Sequence, residues 1–204
     1  MTVDCFSIET QLHLCYVVQH IAFCNIICEI PVEGAGGILL NDNKEYTVMV
    51  ESNPDYFSIS RGKRSGIHEI EYPGGKTEDG ETSVETAIRE IYEETGIVIT
   101  PYQIINYVVN INPKNLGVYL FKIILTNEQW DNIHVYSNSL RRKYIMNKDK
   151  TETMGLQIIP LHNVIELIKN DNNSLYVKEY NEMVNIRPFN KFLLRKMIDT
   201  NILT

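Results

Sequence analysis

Between Thr82 and Gly96 the chain changes from alternating to helical periodicity, and no other segment constrains the fold as tightly. Val84, Ala87, Ile88 and Ile91 fall at i, i+3, i+4 and i+7, which makes one apolar stripe able to dock on a core. The segment also carries its own punctuation. Thr82 and Glu85 read as a capping box, and Gly96 sits where a left-handed helix cap is wanted. A strand over Ile67 to Tyr72 leads in through Pro73, Gly74 and Gly75.

The polar side of this helix is unusual in its charge. At 100° per residue the apolar stripe centres near about 350°, while Glu90, Glu93 and Glu94 lie at about 240°, 180° and 280°. Three carboxylates therefore share a strip beside the buried face, where like charges repel, and repel more as the site dries. Arg89 supplies one compensating charge. A cluster of hard oxygen ligands on a rigid element is what Mg²⁺ or Mn²⁺ takes, with retained waters and phosphate oxygens completing the shell. Gly75 marks the other half of the site, since a glycine turn lets backbone approach a metal or phosphate closely. A solvated, Glu-rich helix face is the bland alternative. Seven specified charged or Gly positions and two apolar ones, all at fixed spacing, speak against it.

Those positions, Gly75, Glu81, Arg89, Glu90, Ile91, Glu93, Glu94, Gly96 and Ile97, resemble a complete Nudix box, G-x5-E-x7-R-E-U-x-E-E-x-G-U, with no departure. The stretch from Glu69 to Gly75 is similar to the strand and loop that lead into that box, and a looser likeness runs from about Val32 to the C-terminus. The resemblance implies an α/β/α sandwich with a mixed sheet that hydrolyses a nucleoside diphosphate linked to another moiety. It implies Glu90, Glu93 and Glu94 as metal ligands, with the Gly75 carbonyl, and Mg²⁺ or Mn²⁺ as the ion. It further implies Arg89 as the residue that orients the glutamates and Glu81 as the one that stabilises the loop. Members differ in the general base; Glu90 is one candidate, and Glu128 and Glu152 are loop carboxylates that could serve. A module that keeps the fold and binds nucleotide without chemistry is the alternative of another class, and it normally comes with a damaged box.

Around the box the pattern is α/β. Gly36 to Leu40 and Tyr46 to Glu51 predict a hairpin turned at Asn41, Asp42 and Asn43. Ile97 to Ile99, Tyr107 to Ile111, Val118 to Leu125 and Leu156 to Ile159 read as strands. Residues 126–155 show no clean period and predict a loop or irregular helix. Leu161, Val164, Ile165 and Ile168 mark a helix, and a last one begins at Pro188 with Phe192, Leu193 and Met197 inward. Strands and helices interleave over residues 31–204, with residues 1–30 as a segment packed on the domain.

That first segment holds all four cysteines, Cys5, Cys15, Cys24 and Cys28, among apolar neighbours, so reduced buried thiols are expected. With His13 and His20 they fit no usual zinc spacing. Thr10 to Cys28 is uncharged but interrupted by polar residues and lacks a basic flank, so it reads as core rather than a membrane span. No Lys or Arg precedes Lys44, which argues against an export signal and for a cytoplasmic protein.

Substrate clues are weaker. Pro113, sixteen residues past Ile97, resembles a feature of members acting on ADP-ribose. The net charge of −7 excludes a whole-surface grip on nucleic acid. Basic clusters at Arg61, Lys63 and Arg64, at Arg141, Arg142 and Lys143 with Lys148 and Lys150, and at Arg187, Lys191, Arg195 and Lys196 would serve capped RNA if they converged on the site. Tyr72, Tyr92, Tyr102 and Tyr119 are candidates to stack a base. An ADP-ribose-like substrate is favoured over an mRNA cap or an NTP. A homodimer is a further expectation from the family.

Overall fold

A computed structural model of the chain describes residues 31–58, 63–64, 68–148, 150–177 and 182–203. The cysteines, His13, His20 and the uncharged run of the first thirty residues lie outside them. Among the described residues no helix is long and apolar enough to cross a membrane.

The expected hairpin is present as β1 (Val32–Leu40) and β2 (Tyr46–Ser52), with Leu39 opposite Val48 and Leu40 opposite Thr47. The left-handed position of its turn is Lys44, at φ 59°, rather than the asparagines. Asn41 instead closes the turn with its side chain, whose Oδ1 accepts from the Tyr46 N–H at 2.9 Å.

Two strands are handed to each side of this hairpin. β6 (Gly74–Lys76) pairs antiparallel with the start of β1, and β8 (Gly117–Ile124) runs parallel to β1 along its length, with β7 (Ile104–Ile111) outside it. β2 carries β9 (Thr153–Pro160) along one edge and β5 (Glu69–Glu71) at its end, followed outward by β11 (Glu182–Ile186) and β10 (Ser174–Val177). The sheet is mixed, nine-stranded and ordered β10-β11-β5-β2-β1-β8-β7, with β6 and β9 attached to β1 and β2. A separate two-stranded ribbon joins β3 (Phe57–Ser58) to β4 (Lys63–Arg64).

The period of two along each strand divides the core between two faces. Ile38, Leu40, Met49 and Leu120 point to one, covered by Val164 and Ile168 of α4 (Leu161–Lys169) and Leu194 and Met197 of α5 (Pro188–Asp199). Leu39, Val48, Phe121 and Ile123 point to the other, covered by Ala87 and Ile91 of α1 (Ser83–Thr95) and Ile133 and Leu140 of α3 (Ile133–Met146). This is the α/β/α sandwich that the box implied. α1 begins and ends as its caps predicted: Thr82 and Glu85 form the reciprocal capping box, and Gly96, at φ 75°, returns its N–H to the Tyr92 carbonyl.

Three expectations need correction. Residues 126–155 hold α2 (Asn127–Asp131), α3 and the first residues of β9. Their periodicity is faint because Ser137 occupies the buried stripe of α3 between Ile133 and Leu140, while Val135, Ile145 and Met146 stand exposed on its outer side. Ile97 to Ile99 alternates in burial but forms no strand, because its backbone bonds go to side chains: Ile97 N–H donates to Thr95 Oγ1 and Val98 C=O accepts from Gln129. In α5 the inward stripe is Leu193, Leu194, Met197 and Ile198, whereas Phe192 is 57% exposed.

Ile91 is fully buried between α1 and the sheet. Its truncation to alanine should remove about 2–5 kcal/mol of stability, read as a lower urea midpoint with an unchanged slope.

Candidate active site

Close backbone packing places the front of α1 over β6. A Cβ at Gly36 would strike the Pro73 carbonyl oxygen, and one at Gly74 would lie 2.7 Å from the Gly36 Cα, so β1 and β6 approach at a distance that only glycine permits. At Gly75 the obstacle is different. A Cβ there would fall on the Glu90 carboxyl group, which the bare backbone leaves room for.

Arg89 ties helix, loop and strand together. Its Nε and Nη2 donate to the two carboxylate oxygens of Glu81 at 2.7 and 3.0 Å, a bidentate pair, and Nη2 also reaches the Lys76 carbonyl at 2.8 Å. Nη1 donates to Glu90 at 2.9 Å and to Glu93 at 3.3 Å. Glu81 accepts further bonds from the Glu78 N–H and the Thr86 hydroxyl, both at 3.0 Å. These donors, Arg89 first, hold its carboxyl at about 2.

A cavity of about 740 Å³ opens in front of this assembly. Glu90 and Glu94 enter it from α1, Glu71 from the end of β5, Glu152 from the loop before β9, and Glu33 from β1, with Gly75 in its wall. Glu94 accepts from the Gly74 N–H at 2.9 Å, and burial, followed by the charge of Glu71, pushes its carboxyl well above the ordinary range. Burial also raises Glu90, opposed by Arg89. Glu71, 6% exposed, is raised to about 7 by burial, against the pull of Arg187, whose Nη1 donates to it at 2.6 Å. Arg187 also stands 3.7 Å from Glu69.

Glu152 adds negative potential to Glu71, Glu90 and Glu94 alike. Such a set is poorly compensated by protein groups and suits a hard divalent cation. Among the described residues no three carboxylates form a ready cage.

The expected residues separate into groups. Glu90, Glu94, Gly75 and Glu152 line the cavity; Arg89 and Glu81 stand behind it as supports. Glu93 has a 55% exposed side chain on the outer side of Arg89. Glu128 is exposed on α2, away from the cavity lining. Pro113 lies in the exposed β7–β8 turn outside the lining, although Asn112 beside it donates to Glu33 at the rim, at 2.6 Å. Arg61 falls outside the described residues, as does the side chain of Arg64.

Of the other basic clusters, Arg187 lines the cavity, while Lys191 and Arg195 bond Asp171 and Lys196 bonds the Val109 carbonyl. Tyr72 and Tyr119 reach the floor but are 1% and 2% exposed, so neither face is free to stack, and Tyr92 and Tyr102 are exposed elsewhere. Tyr56 lines the rim instead. Sequence reasoning passed over Glu71, Arg187 and Tyr56 as site residues. Glu71 lay in the strand leading into the box, and Arg187 in a basic cluster read as a nucleic-acid surface; nothing local marked Tyr56.

The sequence profile of the NUDIX domain matches residues 31–178. The chain belongs to the Nudix family. It is accordingly a hydrolase of phosphoric anhydride bonds, and its box is intact from Gly75 to Ile97. No curated protein sequence matches the chain. Among solved structures it is similar to a mutT/nudix family protein from Listeria innocua, at 15% identity over 85% of this chain and 99% of that one, with a TM-score of 0.46. It is also similar to the Ap4A hydrolase of C. elegans, at 15% identity over 84% and 99% with a TM-score of 0.42, and to a NUDIX hydrolase from Nitrosomonas europaea, at 13% over 83% and 90% with a TM-score of 0.43.

The Nudix loop carries an acid-labile lock. Because the Glu81 carboxyl is depressed to about 2 in the fold, its contribution is complete above the ordinary carboxyl value of 4.5 and is lost as pH falls toward 2. The Glu81→Gln variant should melt lower than wild type at pH 6, with the difference shrinking steadily between pH 4.5 and 2 in a series of thermal scans.

Proposed function

We propose that this protein hydrolyses a nucleoside diphosphate linked to another moiety, with an ADP-ribose-like compound as the favoured substrate and Mg²⁺ or Mn²⁺ as cofactor. The observation that carries the reading is the convergence of Glu90 and Glu94 with Glu71 and Glu152 in one cavity walled by Gly75. Glu90 and Glu94, with the Gly75 carbonyl, are the groups assigned to hold the ion, and Glu93 adds its charge from the outer side. The bound ion would neutralise the phosphate oxygens that otherwise repel a nucleophile.

The remaining roles belong to the chain itself. Arg89, saturated by Glu81, Lys76, Glu90 and Glu93, keeps the two glutamates aimed rather than contacting substrate. Glu152 is assigned as the general base. It stands on a separate element from the α1 carboxylates and lines the same space, so a water between them and the substrate phosphorus can pass its proton to it. The water adds to one phosphorus as the bridging oxygen leaves with the other phosphate; for ADP-ribose the products are AMP and ribose 5-phosphate.

Two features support a small substrate over capped RNA. The cavity has the volume usual for a nucleotide-sized ligand, and most cations of the C-terminal basic cluster are engaged within the fold rather than facing it. Tyr56, which lines the cavity, is the side chain assigned to stack on a base.

A hydrolysis screen with Mg²⁺ and Mn²⁺ across ADP-ribose, dinucleoside polyphosphates, NTPs and capped RNA, with products identified, tests the reading. ADP-ribose should give AMP fastest; preferential release of a capped nucleotide would reverse the substrate order. Glu94→Gln should lower kcat by about 10³-fold or more with a melting temperature close to wild type. Gly75→Ala should fold, because the atom it meets is the end of a flexible side chain, yet lose about 10²-fold in kcat as Glu90 is pushed aside.

A further inference from the structure

Asn53 is 2% exposed and directly follows β2, while Glu152 directly precedes β9. The Asn53 N–H donates to the Glu152 carbonyl at 2.8 Å, extending the β2–β9 pairing past the end of both strands. Its side chain does more than cap an edge. Nδ2 donates to the carbonyls of Lys148 and Thr151 at 2.5 and 2.6 Å, and Oδ1 accepts from the Asp55 N–H at 2.9 Å. Each polar atom of this buried carboxamide is therefore spent on the backbone of two loops, the one that carries Glu152 and the one that carries Tyr56.

Other contacts hold the same two loops from outside. Lys148 pairs with Asp55 at 2.7 Å, the Tyr56 N–H donates to the Asn53 carbonyl at 3.2 Å, and the Thr151 hydroxyl donates to the Asn147 carbonyl at 3.0 Å at the end of α3. The ion pair is exposed and contributes little by itself. The carboxamide is buried, and without it two loop carbonyls lose the donors that tie them to the end of β2. Glu152, whose own side chain is exposed, depends for its position on where this backbone sits.

We propose that Asn53 is a positioning residue for the hydrolytic reaction: its carboxamide locks the loop that presents the Glu152 carboxylate to the cavity. The proposal rests on the assignment of Glu152 as general base. A displacement of about 1 Å in a base can reduce turnover by up to about 10²-fold, so loss of the lock reaches chemistry without any contact to substrate.

A double-mutant cycle on the full chain tests it, with saturating Mg²⁺ and whichever nucleotide of the screen the wild type hydrolyses fastest. Glu152→Gln should lower kcat by about 10²-fold. Asn53→Ala should lower kcat by about tenfold, and in the Glu152→Gln background it should change kcat by less than about twofold, whereas any rise in KM that comes from the Tyr56 loop should be the same in both backgrounds. Asn53→Ser, which keeps one donor, should recover part of the loss, and it replaces Asn53→Ala in the cycle if that variant does not melt cooperatively. Equal loss in both backgrounds, a loss confined to KM, or an unchanged kcat in Asn53→Ala would overturn the proposal. So would a Glu152→Gln variant of wild-type activity, while a large loss in Glu94→Gln would leave the α1 carboxylate assignment standing. A wild type inactive on every nucleotide of the screen would bring down the functional reading and this inference together.

Discussion

Arg89 is the contact on which the rest of the site depends. Three glutamates at i, i+3 and i+4 on one helix face repel one another, and nothing in the helix alone would aim them. The guanidinium spends its donors on both oxygens of Glu81, on the Lys76 carbonyl and on Glu90 and Glu93. It thereby fastens the loop to the helix and turns Glu90 toward the space that Gly75 leaves open. Lysine would not do the same work, because it offers a point charge in place of a planar fork.

With Arg89 committed, the negative charge of the cavity is balanced only in part. Arg187 opposes Glu71, but Glu94 and Glu152 face the same space, and burial raises Glu71, Glu90 and Glu94 together. Shifts of this kind, clustered in one cleft, mark these carboxylates as the candidate functional site. The sheet decides which carboxylates take part. β5 and β9 both pair with β2 near its end, Val50 opposite Glu71 and Ser52 opposite Thr153, so the two strand-end glutamates arrive at one rim.

Much of this was legible before any coordinates. The helix, its caps and the fixed spacing from Gly75 to Ile97 are local features, written within a few turns of chain, and the structure repeats them. Glu71 and Arg187 were not legible as a pair, because they are separated by 116 residues and meet only when β11 lies beside β5. α3 was obscured by a serine in its buried stripe and apolar side chains on its outer face, which blurs the contrast that periodicity needs.

The amino-acid sequence by itself determined the reaction class, since the glutamate-rich helix of the box and its glycine loop are specified by residue type and short-range spacing. Tertiary structure alone decided what surrounds them. It set which glutamate faces outward, which distant carboxylates and which arginine share the cavity, and which basic residues are consumed inside the fold. The reason is physical: a helix register fixes directions over about a turn, whereas the neighbours of a strand end are chosen by sheet order, to which no local pattern refers.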